Sequence, residues 1–287
     1  MLRLLINLDR STDRLAWMNA RLEQLGLDFQ RIPAVDGKAL TPALIADTTL
    51  PRVDGTPWAA GEVACFLSHI ECWKIAAEHA DSHTAIFEDD VHFEPEAGKF
   101  LRESSWIPDH VDVVKLETYR QPTLIDRGSI RALDRSISRL WGRHWGSAAY
   151  IVSKSAARKL LDAVGAFDCT VDEFLFDPRE QKNYICYQLH PSICIQDAIL
   201  NSDGGELGSV IHGERLALQG EAPVADKPSG IAKIRRELIR PFRRLRSKAG
   251  SLYRFLVFGK RTVTVPFSIS RKSGVSRAGD LSKSGSR

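Results

Sequence analysis

The chain has 287 residues, of which 43% are apolar and 26% charged, a composition that excludes wholesale disorder, a collagen-like fibre and a small disulfide scaffold. Residues 1–222 carry 23 Lys and Arg against 33 Asp and Glu, a net charge of −10, whereas residues 223–287 carry 17 against 3, a net charge of +14. The charge pattern therefore predicts an acidic body, 1–222, followed by a basic tail, 223–287.

The five cysteines are odd in number and form no C-x-x-C pair, so we expect reduced thiols rather than a disulfide framework or a zinc site. The N-terminal stretch lacks the pattern of a signal peptide, because charge arrives at Asp9 and no small-residue cleavage site follows. No apolar run approaches the ~18–20 residues that span a bilayer. The expected compartment is the cytoplasm.

The chain opens with a strand–helix–strand pattern. Residues 2–8 form a short apolar run that is typical of a buried strand, and Ser11 precedes a helical repeat of leucines that stops at Gly26. Residues 27–34 return as a second strand. Such a start indicates an α/β fold with a largely parallel sheet.

The rest of the body continues this alternation. Further helices are predicted at 41–47, 61–80 and 153–164, and further strands at 83–87, 111–116, 148–152 and 184–189. We therefore predict an α/β body with a mostly parallel sheet flanked by helices.

Three carboxylates, Glu88, Asp89 and Asp90, follow directly on the predicted strand 83–87. They repel one another, and a divalent cation would offset that cost, since carboxylates are preferred ligands of Mg²⁺ and Mn²⁺. Ligands of open α/β sheets bind at the carboxyl ends of the strands. The alternative is a solvated acidic turn.

Six segments, spread over about residues 1–212, resemble glycosyltransferase family 25, the lipopolysaccharide and lipooligosaccharide glycosyltransferases. In chain order they are INLDRSTDRLAWMNARLEQLGLDFQRIPAVDGKAL, GEVACFLSHIECWKIA, AIFEDDVHF, GSAAYIVSKSAARKLL, TVDEFLF and HPSICIQD. The resemblance implies a GT-A-like nucleotide-binding sheet. It also implies transfer of a sugar, most often galactose from UDP-galactose, to a hydroxyl of a growing saccharide.

The resemblance implies that the carboxylate trio, Glu88, Asp89 and Asp90, is a metal-binding motif for Mn²⁺ or Mg²⁺. Asp90 would contact the metal, and Asp89 would bind the metal or the donor sugar or ribose. His212 is a further candidate metal ligand, against a plain surface histidine. A cation would stabilise the charge that develops on the departing diphosphate.

The acceptor hydroxyl must lose a proton, which a positioned carboxylate can take. The resemblance points to Asp172 as this base, with the neighbouring Glu173 as runner-up, and it implies inversion at the anomeric carbon. The alternative is that Asp172 caps a short helix.

The resemblance also implies a donor pocket. Its candidate residues are Asn7, Leu8, Arg10, Arg14, Asp36, Gly37, Ser68, His69, Asp89 and Ser147. For several of them a structural role is equally open: a surface arginine at 14, an Asp-Gly turn at 36–37, a satisfied core histidine at 69. Trp141 and Trp145 are candidates to stack on sugar rings, or else packing tryptophans.

Residues 231–261 place Lys and Arg among apolar residues at helical spacing. Such a basic amphipathic segment is typical of binding to an anionic membrane surface, which would suit a glycolipid acceptor on the cytoplasmic face of the inner membrane. Packing of the segment on the body and nucleic-acid binding are the alternatives, although nothing in the body suggests a nucleic-acid fold.

Two other functions remain open on these residues. One is a non-catalytic carbohydrate-binding or scaffold protein with the same fold. The other is a metal-dependent nucleotide-sugar phosphohydrolase, which would also use clustered aspartates.

Overall fold

The fold is described from a computed structural model of the chain, over residues 1–52, 55–177, 183–201 and 259–267. One large sheet carries helices on both faces, as the sequence predicts. Its strands are β1 (Leu2–Asn7), β2 (Gln30–Pro33), β3 (His83–Glu88), β5 (Val113–Lys115), β6 (Pro122–Asp126), β7 (Ile130–Ala132), β8 (Arg135–Trp141), β9 (Ala149–Ser153), β10 (Cys186–His190) and β12 (Lys260–Thr264).

A separate two-stranded sheet pairs β4 (Val91–Phe93) with β11 (Cys194–Gln196). The helices are α1 (Thr12–Gln24), α2 (Pro42–Thr48), α3 (Ala60–Glu78), α4 (Gly98–Leu101), α5 (Lys154–Ala163), α6 (Val171–Phe176) and α7 (Asp197–Leu200), with a 3-10 turn at Gly37–Ala39.

The strand order is β12-β6-β8-β10-β5-β9-β3-β1-β2, with β7 added alongside β8. Strand β1 is parallel to both β2 and β3, as the strand–helix–strand start predicts, and β5 is parallel to β10. The remaining six pairs among the described strands of the large sheet are antiparallel, so the sheet is mixed. Strand β9 lies antiparallel between β3 and β5 and separates the two parallel parts. Because β1, β2 and β3 run in one direction, their carboxyl ends share one edge.

Alternation along the central strands divides the core into two layers. Leu4 and Ile6 of β1 face the cluster that holds Phe66 and Trp73 of α3, whereas Leu5 faces the cluster around α1. Helix α3 buries most of its length in this core and exposes one charged stripe, formed by Glu71, Lys74 and Glu78. Each fully buried large apolar side chain contributes about 1.5–3 kcal/mol to this core.

Local signals in the sequence account for several element ends. Gly26 adopts a left-handed φ of 63° just after α1, as expected for a glycine that ends a helix. Thr41 caps α2 by accepting a hydrogen bond from the Leu44 amide, and Ser153 caps α5 from the Ala156 amide. Ser11 occupies the cap position of α1, although its side chain makes no capping hydrogen bond.

Residues 259–267, which the sequence analysis placed in the tail, are part of the large sheet. Strand β12 pairs with β6 at the edge, from Lys260 opposite Asp126 to Thr264 opposite Pro122. Val265 is buried, and its carbonyl accepts a hydrogen bond from the Thr118 hydroxyl at 2.8 Å. Alternating β-branched residues favour a strand here despite the basic composition. The amphipathic pattern before residue 259 lies outside the described residues.

None of the helices in the described ranges has the length and apolarity needed to cross a membrane.

Candidate active site

A cleft opens at the shared carboxyl edge of β1, β2 and β3, with about 840 Å³ of empty space that is partly open to solvent. This is where ligands of open α/β sheets bind. Its wall is formed by the ends of β1 and β3 with the segments after them, by the loop after β2 and by helix α3, and β11 adds Gln196. The predicted site residues that line the cleft are Asn7, Leu8, Arg10, Arg14, Asp36, Gly37, Ser68, His69, Asp89 and Asp90.

The centre of the cleft is an arginine shared by two aspartates. Arg14, in the first turns of α1, places one nitrogen 2.8 Å from Asp89 Oδ1 and the other 3.1 Å from Asp90 Oδ2. The arginine side chain is 16% exposed, so these charges interact in a partly desolvated setting. The guanidinium therefore offsets part of the repulsion within the carboxylate trio.

Asn7 orients Asp89 from below the cleft. Its amide donates to Asp89 Oδ2 at 2.7 Å and to the Ser11 carbonyl at 3.1 Å, while its oxygen accepts from Arg31 at 3.0 Å. Asn7 lines the cleft, as the sequence analysis predicts, but it is almost completely buried. Its contacts hold Asp89 in position.

Asp90 is the carboxylate of the trio whose charge the protein compensates least. Its Oδ1 is buried without a hydrogen-bond partner among the described residues. Burial, together with the negative charge of Glu88, raises the pKa of Asp90 to about 7. Burial also raises the pKa of Asp89, although Arg14 opposes that rise. An orphaned carboxylate oxygen beside excess negative charge fits a bound divalent cation.

Glu88 ends a chain of hydrogen bonds that runs through the core. The Trp73 indole donates to Tyr150 Oη at 2.8 Å, and the Tyr150 hydroxyl lies 2.9 Å from His69 Nδ1. His69 Nε2, the other ring nitrogen, faces Glu88 Oε1 at 3.4 Å. Ser147 donates to the same oxygen at 3.1 Å. His69 is fully buried and thus acts on the cleft through Glu88.

The loop after β2 closes one side of the cleft. Ser68 accepts a hydrogen bond from the Val35 amide at 2.9 Å and donates to the Ala64 carbonyl, which fixes this loop on α3. Asp36 forms an ion pair with Arg10. A Cβ at Gly37 would lie 2.9 Å from the Gly61 nitrogen, so glycine permits the close approach of this loop to α3.

Cys65 also reaches the cleft, which the sequence did not signal. Its sulfur lies within 4.8 Å of a ring nitrogen of His69 and a carboxylate oxygen of Glu88. Burial raises the pKa of the Cys65 thiol well above its ordinary value, so the thiol stays protonated at neutral pH. A protonated thiol is a poor cation ligand, and the aspartates are the better candidates.

Asp172 and Glu173, the predicted bases, have their oxygens engaged by the protein. Asp172 accepts from the Gly146 amide at 3.0 Å and from the Glu173 amide at 3.0 Å. Glu173 forms the capping box of α6 with Thr170 and an ion pair with Arg143. Neither Asp172 nor Glu173 lines the cleft. Thr170, rather than Asp172, is the residue at the cap position.

His212, the further candidate metal ligand, lies outside the described residues.

The sequence analysis missed a buried ion pair between Lys115 and Glu117. The Lys115 amine lies 3.2 Å from Glu117 Oε1, which also accepts a hydrogen bond from the Ala148 amide at 2.9 Å. The sequence pattern that could have predicted this ion pair is V-V-K-L-E at residues 113–117, which places two opposite charges on one face of an apolar strand.

The family model for glycosyltransferase family 25 (LPS biosynthesis protein) matches residues 1–175. The lacto-N-neotetraose biosynthesis glycosyltransferase LgtB of Neisseria meningitidis is 30% identical over 245 residues, which cover 80% of this chain and 87% of LgtB. The lipooligosaccharide biosynthesis protein lex-1 of Haemophilus influenzae is 30% identical over 200 residues, or 66% of each chain.

A solved glycosyltransferase involved in glycosylation of the major capsid of PBCV-1 aligns with 76% of this chain and 98% of its own, at a TM-score of 0.35 and 11% identity. The described residues thus form an α/β fold with a cleft at the carboxyl edge of its sheet. The chain belongs to glycosyltransferase family 25 and is a glycosyltransferase.

Proposed function

We propose that this enzyme transfers a hexose, galactose from UDP-galactose, to a hydroxyl of a lipopolysaccharide- or lipooligosaccharide-type saccharide, with inversion and with a divalent cation. The observation that carries the proposal is the cleft in which Arg14 spans Asp89 and Asp90 while Asp90 keeps an unpartnered oxygen. The name of lex-1 is that of a lipooligosaccharide biosynthesis protein, and the name of LgtB is that of a lacto-N-neotetraose biosynthesis glycosyltransferase. Both names support a saccharide acceptor of this class.

In this transfer the acceptor oxygen attacks the anomeric carbon from the face opposite the diphosphate. The bond from that carbon to the phosphate oxygen breaks, and its electron pair leaves with UDP. Arg14 would stabilise the negative charge on the leaving group. Asp89 and Asp90 would hold Mn²⁺ or Mg²⁺, which supplies further positive charge at the diphosphate.

The acceptor proton needs a base, and Glu88 suits this role better than Asp172. The two hydrogen bonds that Glu88 receives from His69 and Ser147 both fall on Oε1. Its side chain is 20% exposed and lines the cleft. Burial raises the pKa of Glu88, but these hydrogen bonds and the charge on Arg14 outweigh it, so the pKa lies below its ordinary value and the carboxylate is ionised at neutral pH.

A turnover assay tests the proposed function. Purified protein is given a panel of UDP-sugars with and without Mn²⁺ and a lipooligosaccharide acceptor, and released UDP is followed. We expect UDP release from UDP-galactose that requires both Mn²⁺ and acceptor, and a product with inverted anomeric configuration by NMR. Release that ignores the acceptor would instead identify a phosphohydrolase, and binding without turnover a scaffold protein.

The Glu88→Gln variant keeps the size and most hydrogen bonds of Glu88 but cannot accept a proton. We expect kcat to fall at least 100-fold with little change in the KM for UDP-galactose. The matched variant Asp172→Asn addresses the earlier candidate. An unchanged kcat in Glu88→Gln together with a large loss in Asp172→Asn would return the role of base to Asp172.

We further propose that the enzyme is cytoplasmic and binds the inner membrane peripherally through its basic segment, 231–258. The support is the sequence pattern, in which each basic residue near an anionic surface contributes about 1 kcal/mol. Co-sedimentation with phosphatidylglycerol vesicles tests it. We expect binding that is lost on neutral phosphatidylcholine vesicles, whereas equal binding to both would contradict the proposal.

A further inference from the structure

A second cavity lies beside the cleft, with about 510 Å³ of empty space that is partly open to solvent. Its floor is made of buried polar side chains, namely Lys115, Thr118, Thr123, His144 and Gln188. Val265, just after β12, closes one wall.

One short segment, residues 142–147, separates the second cavity from the cleft. Trp145 lies at the rim of the second cavity, while Ser147, two residues on, contacts Glu88 at 3.1 Å in the wall of the cleft. Lys115 donates to the carbonyls of Trp145 and Gly146, and the Gly146 amide donates to Asp172. The segment is therefore anchored from both sides, and the two cavities hold fixed positions relative to each other.

The charges of the second cavity are paired within the protein. Lys115 contacts Glu117, and Arg143 forms an ion pair with Glu173. Burial lowers the pKa of His144 to about 4, so this side chain is uncharged at neutral pH. A cavity without unpaired cations favours an uncharged ligand over a phosphate or a carboxylate.

Trp145 provides an exposed aromatic surface at the rim. It is 40% exposed, the largest apolar side chain exposed to this degree in the described ranges. The Arg143 guanidinium lies 4.6 Å from the ring centroid and covers one face, which leaves the opposite face for a ligand. A flat aromatic face above a floor of hydrogen-bonding groups matches a sugar ring, which is apolar on one face and has hydroxyls at its edge.

We propose that the second cavity binds the terminal, uncharged sugar of the acceptor saccharide, with Trp145 as the stacking surface. The Thr118 and Thr123 hydroxyls of the floor each donate a hydrogen bond within the protein and can accept one from a sugar hydroxyl. The inference rests on the proposed function, since the acceptor hydroxyl must come to Glu88. It adds a location and a chemical class for the acceptor.

The test uses the full chain and the variants Trp145→Ala and Trp145→Phe. We expect the KM for the acceptor to rise about tenfold in Trp145→Ala while kcat changes less than twofold, and Trp145→Phe to restore most of the affinity. Leu133→Ala is the matched control, because Leu133 is 39% exposed on another part of the surface. Thermal unfolding confirms that each variant is folded.

Binding is measured separately, so that this inference and the proposed function can fail independently. Saturation-transfer NMR detects the binding of β-methyl glycosides of glucose, galactose, N-acetylglucosamine and lactose in the presence of UDP and the diamagnetic cation Mg²⁺. We expect at least one glycoside to bind the wild type and not Trp145→Ala, even if turnover fails. Equal binding to both proteins, or no binding of any glycoside to the wild type, would overturn the inference.

Discussion

At the scale of single residues, the carboxylate trio is partly neutralised from within the chain. The sequence indicates that a positive partner must offset three adjacent carboxylates, and the structure supplies Arg14 to two of them. One guanidinium does not balance three negative charges, which leaves Asp90 with a raised pKa and an unpartnered oxygen. We therefore expect a bound divalent cation to raise the stability of the folded protein.

Removing Arg14 tests this balance. We expect Arg14→Ala to lower the free energy of unfolding by about 3 kcal/mol at pH 7.5, because it leaves buried carboxylates unpaired. Arg14→Lys keeps the charge but cannot span both aspartates, so its loss should be smaller. Urea unfolding of the three proteins measures the effect, and an Arg14→Ala protein as stable as the wild type would contradict it.

His144 makes the stability depend on pH. Its pKa in the folded protein is about 4, below the ordinary value of 6.5, because burial disfavours the charged ring. As the pH falls from 6.5 towards 4, the unfolded chain takes up this proton first, and stability is lost.

The expected loss from this group is about 2 kcal/mol between pH 7.5 and pH 5. His144→Gln retains a donor for the Trp141 carbonyl, which the His144 ring contacts at 2.9 Å, but does not titrate. Urea unfolding at the two pH values should therefore show a smaller drop in the variant by that amount. Equal drops in both proteins would refute the assignment.

At the scale of elements, the loop after β2 and helix α3 define one wall of the cleft together. Gly37 is the contact point, since a Cβ there would lie 2.9 Å from the Gly61 nitrogen and 3.0 Å from the Ala60 oxygen. Both are backbone atoms that cannot move aside cheaply. This wall of the cleft thus depends on Gly37, which the sequence analysis predicts to bind the donor.

Gly37→Ala should displace this loop. We expect a loss of about 1–3 kcal/mol in stability, in line with overpacking of a close contact, and a raised KM for the donor. Gly165→Ala is the control, because a Cβ at Gly165 meets nothing within 4 Å. Thermal unfolding and donor titration compare the two, and similar behaviour of both variants would contradict the close-contact role.

Elements with strong local signals were predictable, and those that depend on distant partners were not. Strand β1, helix α1 and helix α3 follow from periodicity, and the caps at Thr41 and Ser153 from residue type. Strands β6, β7 and β8 pair with one another, with β10 and with the distant strand β12, so their formation depends on partners elsewhere in the chain rather than on a local pattern. Strand β12 is hidden by the basic composition around it.

For the site, the sequence predicts which residues lie in the cleft, but it does not predict which partners each of them contacts. The cleft brings together ten of the predicted residues, because they lie at the ends of parallel strands and in the helix and loop beside them. Their contacts are tertiary: Arg14 meets aspartates 75 and 76 positions away, and His69 meets Tyr150. Distances of this kind cannot be read from spacing along the chain.

At the scale of the whole molecule, the C-terminal region contributes to the sheet and to the second cavity. Strand β12 covers the edge of β6, and the Pro266 carbonyl accepts from the Ser192 amide at 3.0 Å. The body and the tail predicted from charge are thus joined at residues 259–267. Exposed strand edges are also a liability for aggregation.

Truncation tests this contribution. Deleting residues 259–287 should lower the melting temperature by several degrees and promote aggregation, because the edge of β6 and the site of Val265 become exposed. Deleting 268–287 keeps every described residue and should leave the melting temperature nearly unchanged. Equal melting temperatures for the two truncated proteins would show that β12 adds no stability.

The central claim is that the cleft around Arg14, Asp89 and Asp90 binds the nucleotide donor with a divalent cation. Isothermal titration calorimetry of UDP, with and without Mn²⁺, measures this directly in the wild type, in Asp90→Asn and in the exposed control Asp47→Asn. We predict UDP binding that requires Mn²⁺ and weakens at least tenfold in Asp90→Asn alone. UDP affinity that is the same without Mn²⁺ and in Asp90→Asn would contradict the account.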